Sequence, residues 1–129
     1  MNKILVEVSV GELLDKISIL EIKKDKIKDK EKLKFINYEH KILNDQLNKN
    51  VGTNNKLNDL FQSLKEINTR LWIIEDDKRM CEKNSTFDER FIKLSRDVHF
   101  LNDDRAKLKL QINELTGSVI KEIKEYQSY

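Results

Sequence analysis

The 129-residue sequence predicts an all-α protein, an antiparallel bundle of three to four long helices preceded by a short extended segment. Three observations lead there. There is no proline and there are only three glycines, so helix breakers are scarce. Lys, Glu, Leu and Ile are abundant. Apolar residues recur every three or four positions over most of the chain.

The elements follow in order. In "KILVEVS", Ile4, Val6 and Val8 alternate with Leu5 and Glu7, the pattern of a short β-like segment. Ser9 with Glu12 then reads as a capping box that starts a helix. Val10, Leu13, Ile17, Leu20 and Ile27 follow a seven-residue repeat, with Lys24 in the gap. The charged run "KDKEK" at 28–32 breaks the pattern, which resumes in a shifted frame at Leu33, Ile36, His40, Leu43 and Leu47. A helix boundary near residue 29 explains both facts.

"NKNVGTNN" at 48–55 is a turn cluster around Gly52. Leu57, Leu60, Leu64, Ile67, Leu71, Ile74 and Cys81 keep one heptad frame beyond it, with Lys78 in the seam. "NST" at 84–86 marks the next boundary, where Ser85 with Asp88 and Thr86 with Glu89 offer two overlapping caps. The last long helix carries Phe87, Phe91, Leu94, Val98, Leu101, Leu108, Ile112 and Leu115, with Arg105 on the same step. Gly117 suits a helix C-cap and Ser118 a fresh cap, ahead of the amphipathic tail "SVIKEIKEYQSY". The whole, 1–129, reads as a single domain.

Composition narrows the function classes. A net charge of +2 does not by itself call for a polyanionic partner, so nucleic acid is not expected. The longest apolar run is Leu71–Ile74, far short of the ~20 residues that span a bilayer, and no membrane partner is expected. Glu7 and the lack of a small-residue cleavage site argue against a signal peptide. The single Cys81 fits a reducing compartment, and the expected setting is the cytoplasm. A slender bundle with an unpaired strand points to a homodimer.

The candidate site starts from the three seam cations, Lys24, Lys78 and Arg105. One reading has them running their stems over apolar surface with the charge kept wet, or fixing helix register. The other has them converging on a cavity that holds a small anionic ligand, because a buried cation needs a counter-charge. Polar residues adjoin these seams at helical spacing: Asn68, Trp72, Glu75 and Arg79; Asn102, Ala106, Lys109 and Asn113; and Glu12, Lys16, Ile19 and Lys23. A solvated, salt-bridged face would show the same spacing. Trp72 among charges suggests a half-buried contact. The candidate ligand-binding set is therefore Lys78, Arg105, Glu75, Arg79, Asn68, Trp72, Asn102, Lys109, Asn113 and Lys16, with no catalytic residue assigned, no metal ligand and no cofactor expected.

Two all-helical enzyme classes use bundles of this kind. Chorismate mutases bind a dicarboxylate with Arg and Lys inside a dimeric bundle, to which Lys24, Lys78, Arg105 and Glu75 would be comparable; the order and spacing do not map. Mg²⁺-dependent nucleotide pyrophosphohydrolases need paired carboxylates on neighbouring helices. Glu12 with Asp15 and Glu122 with Glu125 have that spacing, but lie at opposite chain ends; Asp76, Asp77, Asp103 and Asp104 are further oxygen donors. The lysine-rich run at 23–34 carries no interleaved aromatics for base stacking and reads as an exposed helix surface, although nucleic acid or anionic lipid could touch it. His40, His99 and Cys81 lack metal-ligand spacing. Ser118 and Lys121 match a nucleophile motif in form only, and no Gly-rich phosphate loop is present.

The segments "VEVSVGELLDKISILEIK", "LWIIEDDKR", "LNDDRAKLKLQIN" and "GSVIKEIKEYQSY" resemble a family of small uncharacterised all-helical bacterial and phage proteins, a domain of unknown function. The resemblance covers most of the chain and is weakest over about 30–60. It implies a self-contained domain whose polar stripes belong together and whose members sometimes accompany sugar-transferase genes. It implies no catalytic role for any residue. The expected function is thus a dimeric helical interaction module, binding a partner protein or a small anion, with a small all-α enzyme acting on an anionic metabolite as the alternative.

Overall fold

A computed structural model describes residues 2–128 and contains four helices: α1 (Val10–Lys26), α2 (Lys30–Asn50), α3 (Asn55–Lys83) and α4 (Glu89–Thr116). The chain runs up, down, up, down. Antiparallel α1 and α2 bring Glu21 beside His40, and antiparallel α1 and α4 bring Gly11 beside Asn113. Helix α1 lies at the centre, against each of the other three, while α2 approaches only α1 among the helices. The α3–α4 hairpin is the longest element, about 43 Å against about 26 Å for α1 at ~1.5 Å per residue.

The helix ends have local causes. Ser9 accepts from the Glu12 amide at 3.0 Å, Asp29 from Glu31 and Lys32, and Asn54 from Leu57 at 2.8 Å. Asn50 gives way to Val51 and Gly52, whose amides both donate to the Leu47 carbonyl; Gly52 sits at φ 75°, where a Cβ would be strained. Gly117 closes α4 in the same way at φ 65°.

Three local expectations are corrected. Helix α4 begins at Glu89 with Asp88 as its cap, so Phe87 lies outside it. Ser85 and Thr86 belong to the closure of α3, with their amides on the Glu82 and Cys81 carbonyls, and it is the Asp88 side chain that caps α4. The Glu12 carboxylate does not turn back to complete a capping box; it reaches Lys109 instead. Residues 118–128 form no further helix, and residues 2–9 form neither helix nor strand.

The core is a single cluster of Leu14, Ile17, Leu47, Leu57, Leu64 and Ile112, with Val10, Leu43, Leu60, Phe61 and Leu108 packed against it. All six centres belong to the expected seams except Leu14. That exception reveals the architecture. Because α1 is enclosed on three sides, it buries a second stripe beside the heptad: Gly11, Asp15, Ser18 and Ile22, spaced by four, three and four. Two members of that stripe are polar, and they define the site.

Candidate functional site

Arg105 meets its counter-charge on α1. Its Nε donates to Asp15 Oδ1 at 2.9 Å and its Nη2 to Asp15 Oδ2 at 2.6 Å, a two-pronged pair. Asn68 on α3 joins the node: its Nδ2 donates to Asp15 Oδ1 at 2.9 Å and to Ser18 Oγ at 2.8 Å. The Ser18 hydroxyl in turn donates to the Asp15 carbonyl at 2.7 Å, and Asn102 Oδ1 accepts from Arg105 Nη1 at 3.4 Å. Asp15 is only 2% exposed. Three helices are thereby tied through one carboxylate, and among the described residues no buried side-chain nitrogen or oxygen lacks a partner.

A second polar group closes the bundle at the start of α1. The Lys109 ammonium, almost fully buried, donates to Glu12 Oε2 and to Glu122 Oε2, both at 2.7 Å. The Gly11 amide donates to Asn113 Oδ1 at 2.7 Å and the Val10 amide to Ser118 Oγ at 3.2 Å. These are the orphan donors of a helix N-terminus, and α4 with the tail supplies their acceptors. A Cβ on Gly11 would lie 2.6 Å from the Lys109 carbonyl oxygen, so the approach of α1 to α4 requires glycine.

The protonation behaviour is that of paired charges. Burial presses the Asp15 carboxyl upward, but hydrogen bonds from Arg105 and Asn68 outweigh it and leave it below the ordinary value. Asp15 in turn raises Arg105. Burial pushes Lys109 down, yet Glu12 and Glu122 carry it above its usual value, while Lys109 lowers Glu122. A depressed carboxyl contributes stability above its unfolded pKa and loses it as pH falls through the folded one. Wild type should therefore lose stability as the pH drops below about 4, and Asp15→Asn should lose less over that interval. Urea midpoints at pH 7 and pH 3 for both proteins read the difference directly.

Beside Arg105 an open cleft of about 360 Å³ lies between α1, α3 and α4. Ile19 and Ile22 of α1 and Leu71 and Trp72 of α3 give it apolar walls; Glu75, Asp76 and Arg79 continue along α3, and Asn68 and Arg105 close its inner end. Of the candidate residues, Asn68, Trp72, Glu75, Arg79 and Arg105 thus come together here, and Asn102 touches Arg105. Lys109 and Asn113 belong to the group at the start of α1.

Two candidates stand apart. Lys78 does not line the cleft; its ammonium lies 5.9 Å over the Phe91 ring, towards the far end of the α3–α4 hairpin. Lys16 is exposed on α1, on the side its neighbours Asp15 and Ile17 turn away from. Lys24, the third seam cation, is half-buried and also outside the cleft.

The sequence reading missed Asp15 and Ser18 as partners of Arg105 and Asn68. A signal was available: Gly11, Asp15 and Ser18 are poor helix formers repeating at one helical step, which a solvent face would not favour. Glu12 and Glu122, each with the spacing of a metal-binding pair, do meet, but around the Lys109 ammonium. Among the described residues no group of three or more His, Cys, Asp and Glu side chains is placed to hold a metal ion.

Fold and site together define a small four-helix protein with a buried polar node at its centre and an open cleft beside it. The chain belongs to a family of unknown function, DUF6165, whose model matches residues 4–129. No curated protein and no solved structure matches it.

Proposed function

We propose that this protein is an interaction module that seats an apolar side chain of a partner protein in the cleft between α1, α3 and α4. The observation that carries this reading is the composition of the cleft: Trp72 with Ile19, Ile22 and Leu71, bordered by charges of both signs. An apolar pocket holding Trp and Arg and rimmed by polar groups is the anatomy of a protein–protein anchor site. A small anion is served less well. Arg105 is already neutralised by Asp15, and Glu75 and Asp76 share the cleft with the one remaining cation, Arg79.

The alternative, a small all-α enzyme acting on an anionic metabolite, would use the same cleft. Proton-transfer chemistry works best with groups tuned towards neutral pH, whereas Asp15 and Arg105 at the inner end of the cleft are both shifted away from it. The homodimer and the cytoplasmic setting remain parts of the proposal. Exposed Ile4, Leu5 and Val6 and exposed Val119, Ile123 and Tyr126 flank the Val10–Ser118 contact, which supports association at that end of the bundle. A monomeric mass by light scattering at micromolar concentration would remove the dimer and leave the cleft reading intact.

The test uses the fact that Trp72 is the sole tryptophan, so its emission reports the cleft alone. Peptides selected from a random display library on wild type are titrated against wild type, Trp72→Ala and Arg79→Ala. The expected result is binding that shifts Trp72 emission and weakens about thirtyfold in Trp72→Ala, the scale of an anchor residue. Peptides that bind all three proteins alike would refute the cleft as the site. A saturable emission shift with anionic metabolites or nucleotide sugars, and none with peptides, would favour the enzyme reading.

A further inference from the structure

The corner where α1 passes into α2 carries more positive charge than its helix ends call for. Between residues 23 and 34 there are seven lysines and three carboxylates, a net +4 in a chain of +2, which leaves −2 for the remainder. Lys23, Lys24 and Lys26 lie in the last turn of α1, where the helix dipole favours cations. Lys30 and Lys32 lie in the first turn of α2, where it disfavours them. Lys26, Lys28, Lys30, Lys32 and Lys34 are all exposed, and Lys34 pairs with the exposed Glu31 at 3.2 Å.

A second observation lies beside the first. Helix α2 turns Ile36, Leu43 and Leu47 towards the bundle and presents Phe35, Tyr38 and Ile42 on its other side. These three step by three and four, so they form one stripe, with Lys34 and Lys41 along its border. Phe35 is 76% exposed and Tyr38 67%. The lysine run itself holds no aromatic, but Phe35 and Tyr38 follow directly after it, and in the fold they stand on a surface that no other helix among the described residues covers.

We propose that this corner and the outer face of α2 dock on the surface of membranes rich in anionic phospholipid. Exposed lysines around an aromatic and aliphatic stripe match a bilayer interface, where rings enter the headgroup level and flexible lysine stems reach the phosphates. A nucleic-acid surface is matched less well: residues 21–69 contain no arginine, the side chain that pairs bidentately with phosphate and guanine. The docking is peripheral, since no helix among the described residues is long and apolar enough to cross a membrane. It uses none of the cleft residues, so it stands or falls separately from the function proposed above.

The experiment is flotation of the full chain with vesicles of phosphatidylcholine, alone or with about a third replaced by phosphatidylserine. Wild type should float with the anionic vesicles only, and less as salt is raised, because the attraction is screened. Lys30→Gln, Lys32→Gln and Lys34→Gln combined should weaken binding about a hundredfold. Phe35→Ser with Tyr38→Ser should abolish flotation while circular dichroism stays helical, as both side chains are exposed; Tyr38→Ser alone serves if the pair unfolds. Absence of flotation with anionic vesicles, equal flotation of wild type and variants, or retardation of single-stranded DNA without any vesicle binding would each overturn the proposal.

Discussion

Arg105→Leu should destabilise the protein by about 3 kcal/mol, the lower end of what breaking a buried ion pair costs. Leucine fits the apolar step that Arg105 interrupts, so on periodicity alone the change should be favourable. What reverses the sign is Asp15, whose carboxylate, 2% exposed in the wild type, would keep only the Asn68 amide as a side-chain donor. Arg105 itself is 28% exposed along its side chain, which moderates the loss. A fall in melting temperature of about 10 °C is the corresponding observable. Arg105→Lys should recover part of it, since an ammonium can face one carboxylate oxygen but cannot reproduce the fork.

Gly11→Ala is the second large effect, again opposite in sign to the local expectation. Alanine in place of glycine in a helix is ordinarily a gain of about 1 kcal/mol. Here the added methyl would sit 2.6 Å from a backbone oxygen of α4 and 3.0 Å from Asn113 Oδ1. A backbone atom cannot swing aside, so the first turn of α1 must lift. The 2.7 Å bond from the Gly11 amide to Asn113 and the Lys109–Glu12 contact would lengthen with it. We expect a loss of about 2 kcal/mol, within the range of overpacked cores. Urea denaturation checks it; an unchanged or higher midpoint would mean that the two helices do not approach this closely.

Much of the fold is legible because its signals are local. The apolar steps from Leu57 to Cys81 and from Phe91 to Leu115 are set by one helical period, and the breaks at Asp29, Gly52 and Gly117 by turn chemistry. The far boundary failed for a physical reason: Ser85, Thr86 and Asp88 are all competent caps, and only the closure of α3 decides which of them is left for α4. Arg105 was visible as an anomaly, and Asn68, Trp72, Glu75 and Arg79 as a stripe. Asp15 was not, because a helix buried on one face and a helix buried on three look alike until its neighbours are placed. Lys16 and Lys78 lie away from the cleft for the converse reason, since one-dimensional spacing cannot tell which of two adjacent stripes turns inward.

The most direct measurement is a double-mutant cycle in stability at Asp15 and Arg105, using Asp15→Asn, Arg105→Met and the pair. If the arginine is held in the seam to lock α4 to α1, the coupling should exceed about 2 kcal/mol, with the double variant less damaged than the two single losses added together. A coupling below about 0.5 kcal/mol, the range of a surface ion pair, would contradict it and return Arg105 to the cleft as a cation free for a ligand.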